Sequence, residues 1–164
     1  INPKKIIDYE LSSDYFKKDG HDISLRKYQI RGIKKITDGL NEKRTKFLLE
    51  MATGTGKTIL AAALIKSLLE NRYAERVLFL VDRIELAKQT WEDFQNLLKI
   101  YSPVIYNKNT FKHGDILGSS VVISTLQSML AKKKYRRDFT PFYFDLIIND
   151  EAHRSIYGNS REIM

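Results

Sequence analysis

Two apolar runs, each ending in an acid, constrain the fold of this chain more than any other feature. The first covers residues 76–82 and closes with Asp82, and the second covers residues 144–149 and leads into Asp150. The first run is continuous from Val77 to Val81, and the second contains Leu146, Ile147 and Ile148 in a row. Continuous apolar runs are typical of strands that are covered on both faces, as in a parallel sheet. Further strands are predicted by the shorter apolar segments at 46–51, 104–106 and 120–124.

Helical patterns separate these strands. Apolar spacing predicts a helix that starts at Leu25 and ends near Gly39. Apolar density and helix propensity predict a buried, alanine-rich helix from Thr58 to about 71, and a short helix is expected over 125–130. Another helix should bury the following side chains: Leu86, Thr90, Trp91, Phe94, Leu97 and Leu98. Trp91 is therefore interpreted as a core residue and not as a base-stacking one. Strands alternating with helices predict an α/β fold, a mostly parallel sheet with helices on both faces. Residues 1–24 show no sustained period and are expected to be an irregular entry segment to one domain over 25–164.

A glycine-rich turn, Met51-Ala52-Thr53-Gly54-Thr55-Gly56-Lys57-Thr58, joins the first predicted strand to the alanine-rich helix. Gly54 and Gly56 allow backbone amides to turn inward where a Cβ would block a phosphate, and the helix N-terminus favours an anion. In such a loop Lys57 reaches the terminal phosphates and the Thr58 hydroxyl binds Mg²⁺. The strict phosphate-loop pattern has glycine where this chain has Met51, so the prediction depends on the strand-turn-helix context. The alternative is an ordinary loop with a solvated lysine.

The segment Asp150-Glu151-Ala152-His153 follows the last predicted strand. It supplies one acid to hold a metal ion and a second acid to act on water. Ligands gather at the carboxyl ends of parallel strands, so Lys57 and Asp150 are expected to converge on one magnesium-bound triphosphate. The alternative is that the two acids form a solvated turn. Asn149 places an amide at the buried end of the strand, where it requires a hydrogen-bonding partner.

Charge and composition narrow the class of partner. Lys and Arg outnumber Asp and Glu by 28 to 20, and the net charge of +8 favours a polyanionic partner without identifying it. The absence of cysteine excludes disulfides and thiolate metal sites. With no signal-peptide pattern and no apolar run of membrane-spanning length, the expectation is a cytoplasmic protein without a membrane partner. The basic run 132–137 is either part of a nucleic-acid track or a solvated loop.

These segments together resemble the motifs of superfamily 2 helicases and translocases. The glycine-rich turn is similar to motif I and the 150–153 box to motif II, and three more segments match in the family's order. They are 25–29 (the adenine-reading element), 81–89 (motif Ia) and 123–128 (motif Ib). Within superfamily 2, the chain looks most like the motor (R) subunit of type I restriction enzymes. This likeness rests on the longer segment 150–158 and on the sequence Leu-Val-Asp-Arg at motif Ia. The resemblance covers about 25–164 and implies the first of two RecA-like P-loop NTPase domains, truncated here after motif II.

The resemblance also implies roles for particular residues, with ATP and Mg²⁺ as cofactors. The adenine edge is assigned to Arg26 and Gln29, although the sequence alone favours Gln29 as only a polar position on an amphipathic helix. The phosphates are assigned to Thr53, Gly54, Thr55, Gly56, Lys57 and Thr58; the Mg²⁺ to Thr58 and Asp150; catalysis to Lys57 and Glu151; and DNA phosphates to Arg83, Thr125, Gln127 and Ser128. His153 either couples the nucleotide to the rest of the motor or makes only a local hydrogen bond.

The implied function is an ATP-hydrolysing, double-stranded DNA translocase of a type I restriction endonuclease. Its expected partners are double-stranded DNA, a second RecA-like domain with its arginine finger and a nuclease domain of the parent chain, and methyltransferase and specificity subunits. Without the arginine, this piece alone is expected to hydrolyse ATP poorly. One alternative is another superfamily 2 enzyme, such as a DNA repair or RNA helicase. Another is a non-catalytic nucleic-acid-binding module, or a phosphate-loop protein unrelated to DNA.

Overall fold

The computed structural model describes residues 16–18, 21–106, 116–131, 136 and 138–150. These residues fall into two compact units, Ile1–Tyr73 and Ala74–Met164. No helix among them is long and apolar enough to cross a membrane.

The first unit begins with an antiparallel hairpin of β1 (Phe16–Lys18) and β2 (His21–Ile23), in which Lys18 pairs with His21. The expectation of an irregular segment over 1–24 does not hold for these residues. The sequence between the strands is Asp19-Gly20, and an Asp-Gly pair between two strands is a strong hairpin signal.

Two helices follow in the first unit, α1 (Lys27–Asn41) and α2 (Lys57–Glu70); the first was predicted from apolar spacing and the second from apolar density and helix propensity. The side chains or backbone positions of α1 that are buried are Gln29, Ile33, Thr37 and Gly39. Thr37 donates its hydroxyl hydrogen to backbone carbonyls of the preceding turn, so it needs no partner outside the helix. The centre of α2 is buried almost all round, which agrees with its lack of a polar face.

The strand predicted over 46–51 is wrong. Residues 44–52 form no helix or strand, and Leu48 is 75% exposed. A strand exists only where a neighbour completes its hydrogen-bond ladder, and the described strands pair with one another without this segment. A short apolar run cannot reveal whether such a neighbour is present.

The second unit is built on a parallel sheet. Its elements are β3 (Val77–Val81), α3 (Ile84–Leu97), a 3-10 turn (Lys99–Tyr101), β4 (Val104–Ile105), β5 (Val121–Thr125), α4 (Leu126–Leu130) and β6 (Leu146–Asn149). The strand order is β4-β5-β3-β6, and every neighbouring pair is parallel. The four strands and two helices predicted for this part of the chain are confirmed.

Both faces of this sheet are covered. On one face Leu78 and Leu80 pack in a core cluster with Tyr106, Ile116, Val122, Met129 and Phe139. On the other face Phe79 meets Phe94 of α3 edge-on, with ring centroids 5.1 Å apart. Burial on both faces explains why β3 is apolar at every position and does not alternate.

The buried side of α3 is narrower than predicted. Phe94 and Leu98 are buried as expected, but Leu86 is 38% exposed and Trp91 is 36% exposed. Both residues lie at the edges of the apolar stripe, so their prediction as core residues is wrong. The Trp91 indole nitrogen donates a 2.9 Å hydrogen bond to the carbonyl of Pro103, just before β4. Trp91 thus ties α3 to the start of β4.

Candidate functional site

The glycine-rich loop has the backbone that the sequence requires of it. Gly54 and Gly56 have φ of 76° and 80°, in the left-handed region that glycine adopts without strain. A Cβ on Gly56 would lie 2.7 Å from the amide nitrogen of the Gln29 side chain, whereas a Cβ on Gly54 would meet nothing within 4 Å. The loop therefore needs glycine at both positions for its backbone, and at Gly56 also for space.

Hydrogen bonds from the start of α1 close this loop. The Tyr28 hydroxyl donates to the Thr55 carbonyl at 2.7 Å, and the Gln29 side chain donates to the carbonyls of Thr55 and Gly56 at 3.3 and 3.0 Å. Within the loop, the Thr55 hydroxyl donates to the Ala52 carbonyl at 2.6 Å. The structure thus brings the segment predicted to read adenine against the segment predicted to bind phosphate.

The Gln29 side chain is already engaged in these contacts. It is only 3% exposed, and its Oε1 accepts a 2.8 Å hydrogen bond from the backbone N–H of Arg26. Its Nε2 supplies both hydrogens to loop carbonyls. Hydrogen bonding of adenine by Gln29 and Arg26 remains a prediction, whereas the contact of Gln29 with the loop is observed.

Helix α2 begins where the loop ends. Gly56 is its N-cap in the left-handed conformation, and a glycine cap presents no side chain to the first-turn amides. Lys57 and Thr58 are the first two helical residues, and both are half-buried. A helix N-terminus carries partial positive charge from its amides, so this end of α2 is suited to an anion.

The second unit places several of the predicted site residues along the carboxyl edge of its sheet. Val81 at the end of β3 pairs with Thr125 at the end of β5, and Leu80 pairs with Asn149 at the end of β6. The backbone N–H of Asp150 then donates a 2.8 Å hydrogen bond to the Leu80 carbonyl. The prediction that the last strand delivers Asp150 at its carboxyl end is confirmed. Glu151 and His153 lie outside the described residues.

The four predicted DNA contacts also follow the ends of β3 and β5. Arg83 has a 67% exposed side chain whose Nε lies 3.4 Å from a carboxylate oxygen of Asp82. Thr125 is buried, and its hydroxyl oxygen accepts a 3.1 Å hydrogen bond from the N–H of Ser128, so it caps α4. Gln127 is exposed and Ser128 is half-buried. The edge therefore presents an exposed cation, Arg83, and a short, capped helix.

Two other expectations can be placed. Asn149 is half-buried and has a partner, and no buried side-chain nitrogen or oxygen among the described residues lacks one. Of the basic run 132–137, only Arg136 belongs to the described residues, where it is exposed. The choice between a nucleic-acid track and a solvated loop lies outside the described residues.

The sequence gives little sign of the role of Tyr28. Its position favours the apolar face of α1, yet the residue is 37% exposed and its hydroxyl reaches the loop. The guanidinium of Arg26 donates to the same hydroxyl oxygen at 3.1 Å. Tyr28 and Thr55 are 27 positions apart, so their contact produces no local sequence pattern. The one available signal was that Tyr28 lies next to Gln29, which was already assigned to the site.

Comparison with known proteins identifies the class of this fold. The ATPase core of the *Sulfolobus solfataricus* SWI2/SNF2 protein, solved with double-stranded DNA, matches with a TM-score of 0.70 at 17% identity over 90% of this chain and 29% of that one. The type ISP restriction-modification enzyme LlaGI matches with a TM-score of 0.64 at 24% identity over 84% of this chain and 16% of that one. This chain therefore shares the α/β fold of the SWI2/SNF2 ATPase core, a parallel sheet with helices on both faces.

Sequence comparison then gives the family. The family described as "Type III restriction enzyme, res subunit" matches residues 22–164, and the chain belongs to it. The type I restriction enzyme EcoAI endonuclease subunit of *Escherichia coli* is 32% identical over 150 residues, which cover 88% of this chain and 17% of that protein. The putative ATP-dependent helicase IRC3 of *Saccharomyces cerevisiae* is 31% identical over 85% of this chain and 20% of that protein.

These matches confirm the resemblance to the motor subunit of type I restriction enzymes. They do not favour a different superfamily 2 helicase or a non-catalytic module as the function. The chain spans a fifth or less of the length of the curated relatives described here.

Proposed function

We propose that this chain binds and hydrolyses ATP as part of a DNA-translocating motor in a restriction endonuclease. The observation that carries the proposal is the loop at the start of α2, in which two left-handed glycines flank Thr55 and the loop carbonyls are held by α1. Turning the carbonyls of such a loop toward the protein leaves its amides for an anion. Membership of a nucleotide-using family supports a triphosphate as that anion.

Each predicted residue has a role in this proposal. The loop amides and the Lys57 ammonium offset the charge of the β and γ phosphates, while the Thr58 hydroxyl and the Asp150 carboxylate hold Mg²⁺. Glu151 orients the attacking water and accepts its proton. The described residues contain no cluster of three or more acidic or histidine side chains that would bind a metal alone. That suits Mg²⁺, because it is bound by one or two protein groups together with substrate phosphates and water.

DNA is the proposed track of the motor. Arg83 and the α4 segment, Thr125 to Ser128, are assigned to the phosphates of one strand, which a motor grips without reading bases. The parent protein would add the second RecA-like domain with its arginine finger and a nuclease domain, and would act in the cytoplasm with methyltransferase and specificity subunits. The endonuclease names of the *E. coli* relatives support this assignment.

Titration of Mg-ATP into the wild-type protein and the Lys57→Ala variant tests nucleotide binding. We expect the variant to lose at least about 10-fold in affinity, since hydrogen bonds to charged groups contribute roughly 1.5–3 kcal/mol. Lys34→Ala is the matched control, because Lys34 is an exposed lysine in the middle of α1 and not in the glycine-rich loop. Equal affinity of the wild type and Lys57→Ala for Mg-ATP would show that this loop is not the nucleotide site.

A second assay on the full-length protein separates translocation from strand separation. A translocase on duplex DNA displaces a bound triplex-forming oligonucleotide in the presence of ATP and leaves the two duplex strands paired. Unwinding of the duplex without triplex displacement would instead favour a helicase of another kind.

A further inference from the structure

We propose that Tyr28 is a positioning residue for the triphosphate site, acting through the Thr55 carbonyl. This inference rests on the proposed function, because it requires the glycine-rich loop to bind phosphates. Tyr28 would not touch the ligand. Its hydroxyl would fix the direction of one peptide group so that the N–H of Gly56 faces the phosphates.

The planarity of the peptide group supplies the physical link. In a trans peptide the carbonyl of one residue and the N–H of the next point in opposite directions. The Thr55 carbonyl points at the Tyr28 hydroxyl, 2.7 Å away, so the N–H of Gly56 points away from α1. The Gly56 carbonyl accepts hydrogen bonds from Gln29 and from the N–H of Leu60, both at 3.0 Å, and the two contacts together set the direction of the N–H of Lys57.

The peptide that Tyr28 holds has little stiffness of its own. Thr55 lies between two glycines that both have positive φ, and glycine rotates through a wider range of backbone angles than any other residue. An anchor from outside the loop is therefore needed to keep this peptide in one orientation.

Tyr28 is the stronger of the two anchors on the Thr55 carbonyl. Its hydrogen bond is 2.7 Å long, whereas the one from Gln29 is 3.3 Å, near the limit for an N–H···O bond. The Arg26 guanidinium also donates to the Tyr28 oxygen at 3.1 Å. Because this contact occupies the acceptor side of the hydroxyl, its hydrogen is left to point at Thr55.

A residue that orients loop amides acts on phosphates and not on the base. Tyr28→Phe removes only the hydroxyl. In the full-length protein it should lower the affinity for Mg-ATP and for base-free magnesium tripolyphosphate by the same factor, about 3- to 10-fold, the range expected for one hydrogen bond. A contact of Tyr28 with adenine would instead weaken Mg-ATP and leave tripolyphosphate binding unchanged.

The chain offers a matched control in Tyr73. Its hydroxyl also donates to a backbone carbonyl, that of Leu40 near the end of α1, at 3.5 Å. Tyr73→Phe should bind both ligands as the wild type does. Thermal unfolding of both variants reports whether either change disturbs the fold as a whole.

An NMR measurement reports on the peptide itself. In protein labelled with ¹⁵N-glycine, the Gly56 amide resonance should shift when magnesium tripolyphosphate is added, and the shift should be smaller in Tyr28→Phe at equal saturation. An unchanged affinity for both ligands together with an unchanged Gly56 shift overturns the inference, as does a loss confined to Mg-ATP. If the wild type binds neither ligand, or if Lys57→Ala binds as the wild type does, the proposed function fails instead.

Discussion

The Tyr28 hydroxyl lies 2.7 Å from the carbonyl oxygen of Thr55, although the two residues are 27 positions apart in the chain. With the contacts of Gln29, this hydrogen bond joins the first turn of α1 to the glycine-rich loop. The loop therefore has a fixed shape before a ligand arrives. Donors that are already oriented stabilise a charged ligand without the cost of reorganisation at the moment of binding or reaction.

Replacing Gly56 by alanine should both destabilise the protein and impair nucleotide binding. A left-handed backbone costs a non-glycine residue about 1–2 kcal/mol, and the new Cβ would lie 2.7 Å from the Gln29 amide nitrogen. We expect a lower free energy of unfolding in urea and weaker Mg-ATP binding by titration.

The control for this change is Gly32→Ala. Gly32 lies inside α1, and a Cβ there would meet only leucine methyl groups of Leu49 and Leu60 at 3.5 Å, an ordinary contact. Alanine is favoured over glycine within a helix by roughly 0.5–1 kcal/mol, so this variant should be as stable as the wild type or more so. Equal stability losses in the two variants would contradict the role given to the loop backbone.

Glu151→Gln should abolish ATP turnover and spare ATP binding. Glutamine keeps the size of the side chain but cannot accept the proton of the attacking water. Single-turnover hydrolysis and equilibrium titration of Mg-ATP measure the two effects separately on the full-length protein. Hydrolysis at the wild-type rate would assign the base to another residue.

Arg83→Ala should weaken duplex binding equally for all DNA sequences. Removing one phosphate contact reduces the slope of log K against log salt by about 1. Lys99→Ala is the control, because Lys99 is exposed in the turn before β4, at the opposite end of the strands. If the two variants change the salt slope alike, the effect belongs to total charge and not to the position of Arg83.

Thr125→Val should destabilise the second unit by about 1 kcal/mol, since valine keeps the shape of threonine but cannot cap α4. Thr125→Ser retains the hydroxyl that accepts from Ser128 and should lose less. Urea unfolding of the two variants gives the comparison. Because the cap shapes the segment assigned to DNA phosphates, only the valine variant should also weaken DNA binding.

The elements that the sequence predicted well are those whose pattern is local. The apolar run of β3 reflects burial on both faces, the periodicity of α1 reflects one buried side, and the continuous apolar stretch of α2 reflects burial almost all round. The strand predicted over 46–51 is wrong because pairing depends on a distant neighbour. The β1–β2 hairpin was missed although its Asp-Gly pair was visible.

The same distinction applies to the site. Glycine at positions 54 and 56 follows from the chemistry of a phosphate loop, and the position of Asp150 follows from the end of an apolar run. The hydrogen bond from Tyr28 to the loop depends on how α1 packs beside the loop, and residue spacing in the sequence does not predict that packing. Thr125 is a similar case, because its motif suggested only a DNA contact. In the structure Thr125 is buried and its hydroxyl caps α4, which the sequence did not predict.

Strand β3 is hydrogen-bonded along both of its edges, to β5 on one side and to β6 on the other. A shift of β3 along its own axis would break its hydrogen bonds to both neighbouring strands. The Leu80 carbonyl, which accepts the hydrogen bond from the Asp150 N–H, belongs to this doubly paired strand and lies three residues before Arg83. An acid, Asp150, and a cation, Arg83, therefore follow two strands that are hydrogen-bonded to each other, so the sheet sets the positions of their backbones relative to one another.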